Sequence, residues 1–419
     1  MKILITLLSL LLFGCSQYTV HQDNTHITTN KNQDHPYVVM ISIDGFRHDF
    51  IKMYDPPFLS SIVKKGIQAQ RLTPAFPSKT FPNHYSLVTG MYPGSHGLIA
   101  NRFKDPEWNE NYRLGDNETT RNGKWYGGTP LWLETQNQGL LSASFFWVGS
   151  DANIQGRYPN YYIPYDHGLD NKLRTQQITE WLKMSPQQRP HLLHLYFSDV
   201  DSMGHRYGPK SDEVKEAVLR IDKLIGDMAS DIDRLNLPVN FVIVSDHGMT
   251  AIENAKKVYL RNFMDTSLAE FQERGPLTFI YVKEKKNIKQ VKKSLRKVPF
   301  TQVMSRKDLP PSYHLAHNKR AGDLVLLAEP GAYIYPHKTP PTNPVKEGIS
   351  GGTHGYDPYL SKDMGGIFLA YGPQVKRAGL IKTIDNIHVY PFVLDLLGLK
   401  QKKGIDGDPY ILSGYKLAP

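Results

Sequence analysis

Three apolar runs of the sequence each lead into an aspartate, and these aspartates are Asp44, Asp201 and Asp246. Strands buried on both faces of a parallel sheet read as continuous apolar runs of this kind. Open α/β sheets bind ligands at the carboxyl ends of their strands, so one sheet would bring the three carboxylates together. Carboxylates gathered at one sheet edge indicate a cation site, because packing alone does not require them.

Three histidines accompany these aspartates, and they are His205, His247 and His354. Imidazole nitrogens and carboxylate oxygens suit Zn²⁺, and a small number of protein ligands leaves room for substrate oxygens. Together with the Thr80 hydroxyl, the set divides into two zinc sites. We expect one site to contain Asp201, His205 and His354, and the other Asp44, Asp246, His247 and Thr80. The sequence alone leaves this division open.

Thr80 lies in the stretch 74–90, where prolines keep the chain from becoming helical until a helix can begin. Pro82 suits the first turn of that helix and Gly90 its end. Thr80 is then at or near the helix N-terminus, where free N–H groups and the helix dipole favour a phosphate. A neighbouring metal ion would lower the pKa of its hydroxyl and make it a nucleophile.

A pair of metal ions at this edge would clamp the attacking and leaving oxygens of an in-line displacement. Two divalent cations and three carboxylates leave a small positive excess of charge. This excess suits a singly charged phosphodiester better than a dianionic monoester.

Each of these residues also has an ordinary explanation. Aspartates after strands often cap helices or form turns, and Thr80 could be a plain helix cap. Asp201 and His205 could form an ion pair at a helix end, and the Gly-Thr-His-Gly sequence around His354 could be a turn. The joint placement of all these groups at one expected sheet edge favours the metal site.

Alternating helices and apolar strands supply the frame for this edge. The strands are predicted at 37–44, 142–148, 191–198 and 240–245, and the helices at 57–65, 131–138, 172–183 and 212–235. The alternation is typical of a mostly parallel sheet buried on both faces. We also predict a pocket-shaping excursion at 102–128, a small inserted lobe at 255–345, a further strand at 366–371 and a last helix at 384–397.

The chain has 50 Lys and Arg residues against 40 Asp and Glu residues, which gives a formal net charge of +10. A basic surface attracts anionic substrates or lipid head groups. The basic residues do not form a dense tract with interleaved aromatic residues, so we expect no stable nucleic-acid partner. We expect the protein to be a monomer.

The N-terminal segment has the features of a lipoprotein signal. Residues 1–14 combine a short basic start with a leucine-rich run too short to span a membrane. The sequence Leu-Phe-Gly-Cys at 12–15 resembles the bacterial lipobox, and Cys15 is the only cysteine. The alternative is an ordinary signal peptide with an incidental cysteine.

Lipidation of Cys15 would anchor the protein in the membrane of a bacterial cell envelope. Ser16 favours the outer membrane, with the protein facing the periplasm. Residues 15–35 are predicted to form a flexible polar tether, and residues 36–419 the folded domain.

Six motifs together resemble the nucleotide pyrophosphatase/phosphodiesterase family, the type I phosphodiesterases of the alkaline phosphatase superfamily. They are 43–47 (IDGFR), 76–84 (FPSKTFPNH), 90–97 (GMYPGSHG), 199–205 (DVDSMGH), 245–249 (SDHGM) and 352–355 (GTHG). The resemblance covers residues 37 to about 400. It implies an alkaline phosphatase-like fold, which is a three-layer α/β/α sandwich with a mostly parallel central sheet, and a site with two zinc ions.

The resemblance also implies roles for single residues. Thr80 would be the nucleophile that forms a phosphothreonine intermediate, and Asn101 would donate to a phosphate oxygen. Phe81 and Tyr165 would sandwich a nucleobase.

Trp147 and Asp151 match family positions at the rim of the pocket. Between them, Val148 stands where the family commonly has proline. This departure leaves the base preference open.

The expected activity is hydrolysis of small nucleotide phosphodiesters and pyrophosphates to nucleoside monophosphates. A close alternative keeps the metal site and changes the substrate to choline or glycerol phosphodiesters or to phosphonates, because aromatic rings also bind a choline cation. A more distant alternative is a surface-anchored nucleotide-binding lipoprotein without activity, which would require the loss of a ligand or nucleophile.

Overall fold

The computed structural model describes residues 18–341 and 348–417. The strands are β1 (His21–Gln22), β2 (Tyr37–Ile43), β3 (Gly66–Ala69), β4 (Leu72–Thr73), β5 (Arg102–Asp105), β6 (Glu110–Arg113), β7 (Ser142–Phe145), β8 (Tyr161–Ile163), β9 (Leu192–Phe197), β10 (Val239–Val244), β11 (Thr250–Glu253), β12 (Lys257–Tyr259), β13 (Ala269–Gln272), β14 (Leu277–Val282), β15 (Thr301–Ser305), β16 (Leu324–Ala328), β17 (Tyr333–Tyr335), β18 (Ile349–Thr353), β19 (Phe368–Tyr371), β20 (Gly379–Ile381) and β21 (Ile384–Asp385).

The α-helices are α1 (Phe50–Tyr54), α2 (Pro57–Lys65), α3 (Thr80–Thr89), α4 (Pro93–His96), α5 (Asn117–Thr120), α6 (Leu131–Asn137), α7 (Asn171–Lys183), α8 (Asp199–Tyr207), α9 (Asp212–Asp233), α10 (Ile288–Leu295), α11 (Val389–Leu396) and α12 (Tyr410–Ser413). Among the residues that the structure describes, no helix is both long enough and apolar enough to cross a bilayer.

A nine-stranded sheet forms the centre of the molecule, in the order β1-β8-β7-β9-β2-β10-β19-β3-β20. Strands β8, β7, β9, β2 and β10 are parallel neighbours. β19 lies antiparallel between β10 and β3. The predicted mostly parallel sheet is therefore confirmed, with an antiparallel strand where the sheet resumes after residue 366.

Both faces of this sheet are covered, which explains the continuous apolar strands. In β2, Val39 and Ile41 pack on one face, and Val38 and Met40 on the other. The first face is covered by α2, α7 and α9, and the second by α3, α6 and α11. The expected α/β/α sandwich is confirmed.

The helix predicted at 384–397 is shorter in the structure. α11 begins at Val389, because Ile384 and Asp385 pair in parallel with Leu72 and Thr73 as a small second ribbon. The apolar pattern from residue 384 onwards thus contains a strand and then a helix, since pairing with a distant strand overrides local helix preference.

Residues 18–35 are packed along the edge of the sheet and do not form the flexible tether that we predicted. His21 and Gln22 pair with β8. The buried Asn30 side chain bonds the backbone at Leu141, Pro186 and Arg189. Polar side chains here satisfy backbone groups of the sheet edge, a use that composition does not reveal. Cys15 and the predicted signal at 1–14 lie outside the described residues.

The segment predicted as an inserted lobe contains a second sheet, in the antiparallel order β13-β14-β16-β15. One face is covered by α10, through Val291 and Leu295. The opposite face, with Leu277 and Phe279, belongs to the same buried cluster as Trp125 of the main body. The lobe therefore extends the main core.

Candidate active site

Three neighbouring parallel strands place the carboxylates. β9, β2 and β10 lie side by side, so their carboxyl ends share one edge. Asp44 directly follows β2, and Asp246 comes two residues after the end of β10. Asp201 lies in the first turn of α8, which begins after one residue beyond β9. The structure brings the three aspartates together as the sequence predicts.

The first predicted ligand set lies on α8 and on the turn after β18. Asp201 and His205 are four residues apart, so they lie on the same helix face. The Asp201 Oδ1 atom is 3.4 Å from His205 Nε2 and 3.8 Å from His354 Nε2. One ligand atom from each residue lies within 4.8 Å of the other two, which is a spacing suited to one metal ion.

The second predicted set meets around the ring of His247. Its Nε2 atom is 2.9 Å from Asp246 Oδ2, 3.5 Å from Asp44 Oδ1 and 3.2 Å from the Thr80 hydroxyl. The rings of His247 and His354 stack with centroids 3.5 Å apart, so the two sets touch. We call these seven side chains the Asp/His/Thr cluster.

The three histidines of the cluster are held in the same way. The Nδ1 atoms of His205, His247 and His354 each lie 2.9 Å from a backbone carbonyl, at Gly352, Gly248 and Ser78 respectively. A carbonyl only accepts hydrogen bonds, so each ring carries a proton on Nδ1 and, when neutral, turns a lone pair on Nε2 towards the cluster. Metal-ligating histidines are typically oriented by such bonds.

Some carboxylate oxygens of the cluster lack a hydrogen-bond donor. Asp44 Oδ1 and Asp201 Oδ1 are buried and accept no hydrogen bond, and Asp246 Oδ2 lies 2.9 Å from His247 Nε2. Orphaned buried oxygens that face nitrogen lone pairs are costly unless a cation lies between them. The donor set therefore fits bound divalent metal ions.

The close packing of these charged groups also shifts their pKa values. Burial, followed by the charges of Asp246 and Asp201, raises the pKa of Asp44 well above its usual range. Burial also acts to raise the pKa of Asp246, but His247 and His84 outweigh it and hold this pKa low. Burial, assisted by the neighbouring His247, lowers the pKa of His354 and favours its neutral, ligating form. A metal ion would relieve the repulsion among the acids.

Thr80 is the first residue of α3, with Lys79 as its N-cap. Pro82 lies in the first turn, and Gly90 ends the helix with a φ of 65°, as the sequence predicts. The N–H of Phe81 donates to Asn101 Oδ1 at 2.9 Å. This bond fixes the Asn101 amide beside Thr80 and leaves its NH₂ group to donate.

Sequence reasoning missed His84, one turn after Thr80. Its Nδ1 atom is 2.9 Å from the Thr80 carbonyl oxygen and 3.3 Å from Asp246 Oδ2, and its Nε2 atom is 2.8 Å from Ser42 Oγ. The ring thus ties α3 to the ends of β2 and β10. The spacing of four residues from Thr80 was the available signal, because it places both on one helix face.

Tyr196 was also missed. Its hydroxyl donates to Asp44 Oδ2 at 2.6 Å, and it lies in β9 directly opposite Ser42 of β2. A tyrosine within an apolar strand reads as core, so only the strand register could have revealed this contact.

A cavity of about 270 Å³ opens beside the cluster, and we call it the aromatic cavity. Its lining includes Asp44 and Thr80 from the cluster, and Phe81, Trp147, Asp151 and Tyr165 from the expected substrate pocket. Residues 114–120 of the predicted excursion also contribute, through Leu114, Gly115, Asn117 and Thr120. The excursion shapes the pocket, as expected, although it contains the hairpin β5–β6 and the helix α5.

The four pocket residues differ in exposure. Tyr165 is 46% exposed, whereas Trp147 is 2% exposed and donates from its indole to the His84 carbonyl at 3.0 Å. Trp147 therefore lies in the buried wall of the cavity, and not at the rim where we expected it. Asp151 pairs with Arg121 at 3.1 Å.

Three comparisons with known proteins agree with this geometry. A family model described as type I phosphodiesterase / nucleotide pyrophosphatase matches residues 38–357. The chain is 33% identical to human ectonucleotide pyrophosphatase/phosphodiesterase family member 1 over 382 residues, which cover 87% of this chain and 40% of the human protein. It is 32% identical to bis(5'-adenosyl)-triphosphatase enpp4 of Xenopus laevis over 374 residues, 88% of this chain and 79% of that protein.

The chain thus spans less than half the length of the human relative. Among solved structures, murine ectonucleotide pyrophosphatase/phosphodiesterase 5 superposes with a TM-score of 0.84 at 28% identity, covering 91% of this chain and 100% of that chain. The same murine protein has also been solved as an inactive variant in complex with AMP.

Proposed function

Because the chain belongs to the type I phosphodiesterase/nucleotide pyrophosphatase family, we propose that it is a two-zinc phosphodiesterase that hydrolyses nucleotide phosphodiester and pyrophosphate bonds and releases nucleoside monophosphates. The observation that carries this proposal is the Asp/His/Thr cluster. All seven predicted groups meet there, three imidazoles turn their Nε2 atoms towards the carboxylates, and two buried carboxylate oxygens accept no hydrogen bond.

Zinc is the proposed metal because imidazole and carboxylate ligands suit it. Asp201, His205 and His354 would hold one ion, and Asp44, Asp246, His247 and Thr80 the other. Bound zinc would neutralise phosphate oxygens and lower the pKa of the Thr80 hydroxyl.

The reaction would proceed in two displacements. Thr80 Oγ gives up its proton to solvent and attacks phosphorus, a bond forms between phosphorus and Oγ, and the P–O bond to the leaving group breaks, so that this group departs with its bridging oxygen. Water then attacks the phosphothreonine, which releases the nucleoside monophosphate and restores the Thr80 hydroxyl. The Asn101 NH₂ group donates to a phosphate oxygen and stabilises the charge that develops on it.

The aromatic cavity supports a nucleotide as the substrate. Phe81 and Tyr165 line the same cavity as Thr80, so a base held by these rings would leave its phosphate within reach of the nucleophile. The AMP complex of the murine relative and the name of the Xenopus relative support the same substrate class.

Choline or glycerol phosphodiesters and phosphonates are the second candidate class. The observation that favours a choline group is the combination of aromatic rings with the carboxylate of Asp151 in one cavity, since both attract a quaternary ammonium. The chemistry at Thr80 would be the same.

A substrate panel on zinc-loaded protein tests the proposal. We expect a nucleotide aryl diester to be preferred about tenfold or more in kcat/KM over an aryl ester of phosphocholine and over an aryl monoester, which corresponds to about 1.4 kcal/mol. A preference for the choline ester would favour the second candidate class of substrates. Binding of nucleotide without turnover of any substrate would support the non-catalytic lipoprotein.

We further propose that the protein is lipid-anchored at Cys15 in a bacterial cell envelope. The lipobox-like sequence at 12–15 supports this proposal. Cys15→Ala should release the protein from the membrane fraction or block processing of the signal. Membrane association that survives both this substitution and high salt would contradict it.

A further inference from the structure

The net positive charge of the chain is concentrated in the lobe. Residues 255–345 contain 17 Lys and Arg residues and 7 Asp and Glu residues, a difference of +10. The whole chain also has a formal net charge of +10, so the remaining residues are balanced, with 33 of each kind. A charge excess confined to one part of a molecule directs that part towards anionic partners.

Helix α10 and its flanking residues present much of this charge on one surface. The helix packs into the lobe through Ile288, Val291 and Leu295, which lie at positions i, i+3 and i+7 and so share its inner face. The outer face and the flanks carry six exposed cations, which are Lys285, Lys286, Lys289, Lys293, Arg296 and Lys297. We call these six residues the α10 cationic face.

Only two of the six cations have an anionic partner within the part of the chain that the structure describes. Lys285 pairs with Asp323, and Lys286 pairs with Glu284, both at 2.6 Å. Across residues 18–341 and 348–417, four cations have no carboxylate within ion-pair distance, namely Lys289, Lys293, Arg296 and Lys297. The face therefore presents uncompensated positive charge to the solvent.

The spacing of the four unpaired cations is unfavourable for the protein by itself. Lys289 and Lys293 are four residues apart on the same helix, and Arg296 and Lys297 continue this stripe at the end of the helix. Like charges at this spacing repel and destabilise a helix. An anionic surface that covers the entire stripe would offset this repulsion, whereas one small ion would contact only part of it.

The composition of the face favours a lipid surface over a nucleic acid. Clusters of about four to eight Lys and Arg residues on an amphipathic helix are typical of surfaces that bind anionic lipid head groups. Five of the six cations are lysines, which act as point charges, whereas arginine is preferred where phosphates of nucleic acids are bound in a bidentate manner. Phe300, which follows Lys297 by three residues, is 37% exposed, and such a ring suits the interface of a bilayer.

We propose that the α10 cationic face binds the surface of a bilayer that contains anionic lipids. This contact goes beyond the proposed function, because it involves neither the Asp/His/Thr cluster nor lipidation of Cys15. A lipid anchor and a polybasic surface together give more stable attachment than either signal alone. With both contacts in place, the protein would lie on the membrane with its lobe against the lipid head groups.

Binding of the full chain to vesicles tests the proposal. Cys15→Ala removes the proposed lipidation site, and vesicles of phosphatidylcholine with and without phosphatidylglycerol isolate the contribution of anionic lipid. The variant has four further substitutions, Lys289→Gln, Lys293→Gln, Arg296→Gln and Lys297→Gln. We expect its affinity for the anionic vesicles at low ionic strength to fall about a hundredfold or more, because each cation near such a surface raises affinity about fivefold.

A second variant with the same change in net charge is the matched control. It combines Lys172→Gln, Lys210→Gln, Lys382→Gln and Lys403→Gln, which are exposed positions outside the lobe. Its affinity should fall by less than about fivefold, the effect of about one cation. Both variants change only exposed side chains and should unfold at nearly the same temperature as the parent chain.

Equal losses of affinity in the two variants would overturn the proposal, because binding would then depend on total charge and not on this face. Binding that does not require phosphatidylglycerol would overturn it as well. Tighter binding of the parent chain to single-stranded oligonucleotides than to the anionic vesicles, lost in the first variant only, would assign the face to nucleic acid instead.

A fluorescent label shows which part of the protein meets the bilayer. Cys15 is the only cysteine, so the Cys15→Ala chain accepts a single new label. Gln290→Cys places the label on the exposed side of α10, and Ser413→Cys places it at an exposed position of α12. On vesicles with phosphatidylglycerol, a quencher attached to the lipid should quench the label at 290 and not the label at 413. Equal quenching at both positions, or quenching only at 413, would contradict the proposal.

Discussion

The Asp/His/Thr cluster and the aromatic cavity adjoin each other, but the fold builds them differently. The cluster is assembled at the ends of β2, β9 and β10, whose pairing places Ser42 opposite both Val244 and Tyr196. The cavity is walled largely by connections, including the excursion at 114–120 and the segment that carries Tyr165. Burial follows the same division, because Asp246 is 1% exposed and Tyr165 is 46% exposed.

The two regions are therefore suited to different tasks. Groups fixed by the register of buried strands cannot move without disturbing the sheet, so they suit chemistry that needs defined distances. Connections can change in length and composition while the sheet is retained, so they suit substrate choice. Substitutions in the cluster should therefore affect all substrates, and those in the cavity should affect substrates selectively.

The largest effect should follow from Thr80→Ala. We expect kcat to fall by more than about a hundredfold for every substrate, because the substitution removes the attacking hydroxyl. The free energy of unfolding should change by only about 1 kcal/mol, because Lys79, and not Thr80, is the N-cap residue of α3. Thr80→Ser keeps a hydroxyl and should retain partial activity. A residual rate above about a hundredth of wild type in Thr80→Ala would remove Thr80 from the nucleophile's role.

Removal of metal should have the next largest effect. We expect two zinc ions per chain by elemental analysis and loss of activity on chelation. Asp246→Ala and His354→Ala remove proposed ligands and should weaken zinc binding by more than Tyr196→Phe, which removes only a hydrogen bond to Asp44. The Tyr196 change should cost about 10–100-fold in affinity, as for other groups that orient ligands. One zinc ion per chain in a fully active preparation would contradict the division into two sites.

The sequence predicts this cluster well, because each member lies next to a recognisable local pattern. Asp44 follows an apolar run, and Thr80 precedes Pro82 at a helix start, so the predicted strand end and helix start indicate both residues. The roles of His84 and Tyr196 are not predictable in this way, because they depend on which strands are neighbours. A single sequence contains no direct record of strand order.

The errors in the fold have a similar origin. Polar composition predicts a tether at 15–35, yet the Asn30 side chain bonds the backbone of the sheet edge. The helix predicted at 384–397 is too long because Ile384 pairs with Leu72, which is far away in sequence. Trp147 was expected at the rim, but its indole reaches the His84 carbonyl inside the wall. In each case a long-range partner decided the structure.

Removal of a ring from the aromatic cavity should have a smaller, selective effect. In Phe81→Ala or Tyr165→Ala, we expect KM for nucleotide diesters to rise about 5–150-fold, from the loss of about 1–3 kcal/mol of stacking. KM for a small aryl phosphate diester without a base should change much less, and kcat should be nearly constant if stacking is equal in ground and transition states. Tyr410→Ala removes an exposed ring elsewhere and serves as the control. Equal increases for both substrates would mean that the rings support the site and do not bind a base.

The smallest effect concerns the choice among bases. Asp151 lines the aromatic cavity and is largely buried, so the neutral Asn of the same size avoids the cost of a buried charge, and Asp151→Asn should unfold at nearly the same temperature as wild type. An ionised carboxylate only accepts hydrogen bonds, whereas an amide also donates. Wild type should therefore favour bases with an amino group over bases with a carbonyl. The Asp151→Asn substitution should reduce this preference by about 3–10-fold, as expected for one hydrogen bond.

The dependence of this preference on pH gives a sharper test of the same carboxylate. Burial raises the pKa of Asp151 above its ordinary value, although Arg121 opposes the shift. As the pH falls through this raised pKa, the carboxylate gains a proton and loses its character as a pure acceptor. The ratio of kcat/KM for an adenosine aryl diester to kcat/KM for a uridine aryl diester should therefore decrease in wild type as the pH is lowered. In Asp151→Asn this ratio should not change with pH. A flat ratio in both proteins would mean that the aromatic rings alone hold the base, and base selection would then belong to the loop that carries Val148.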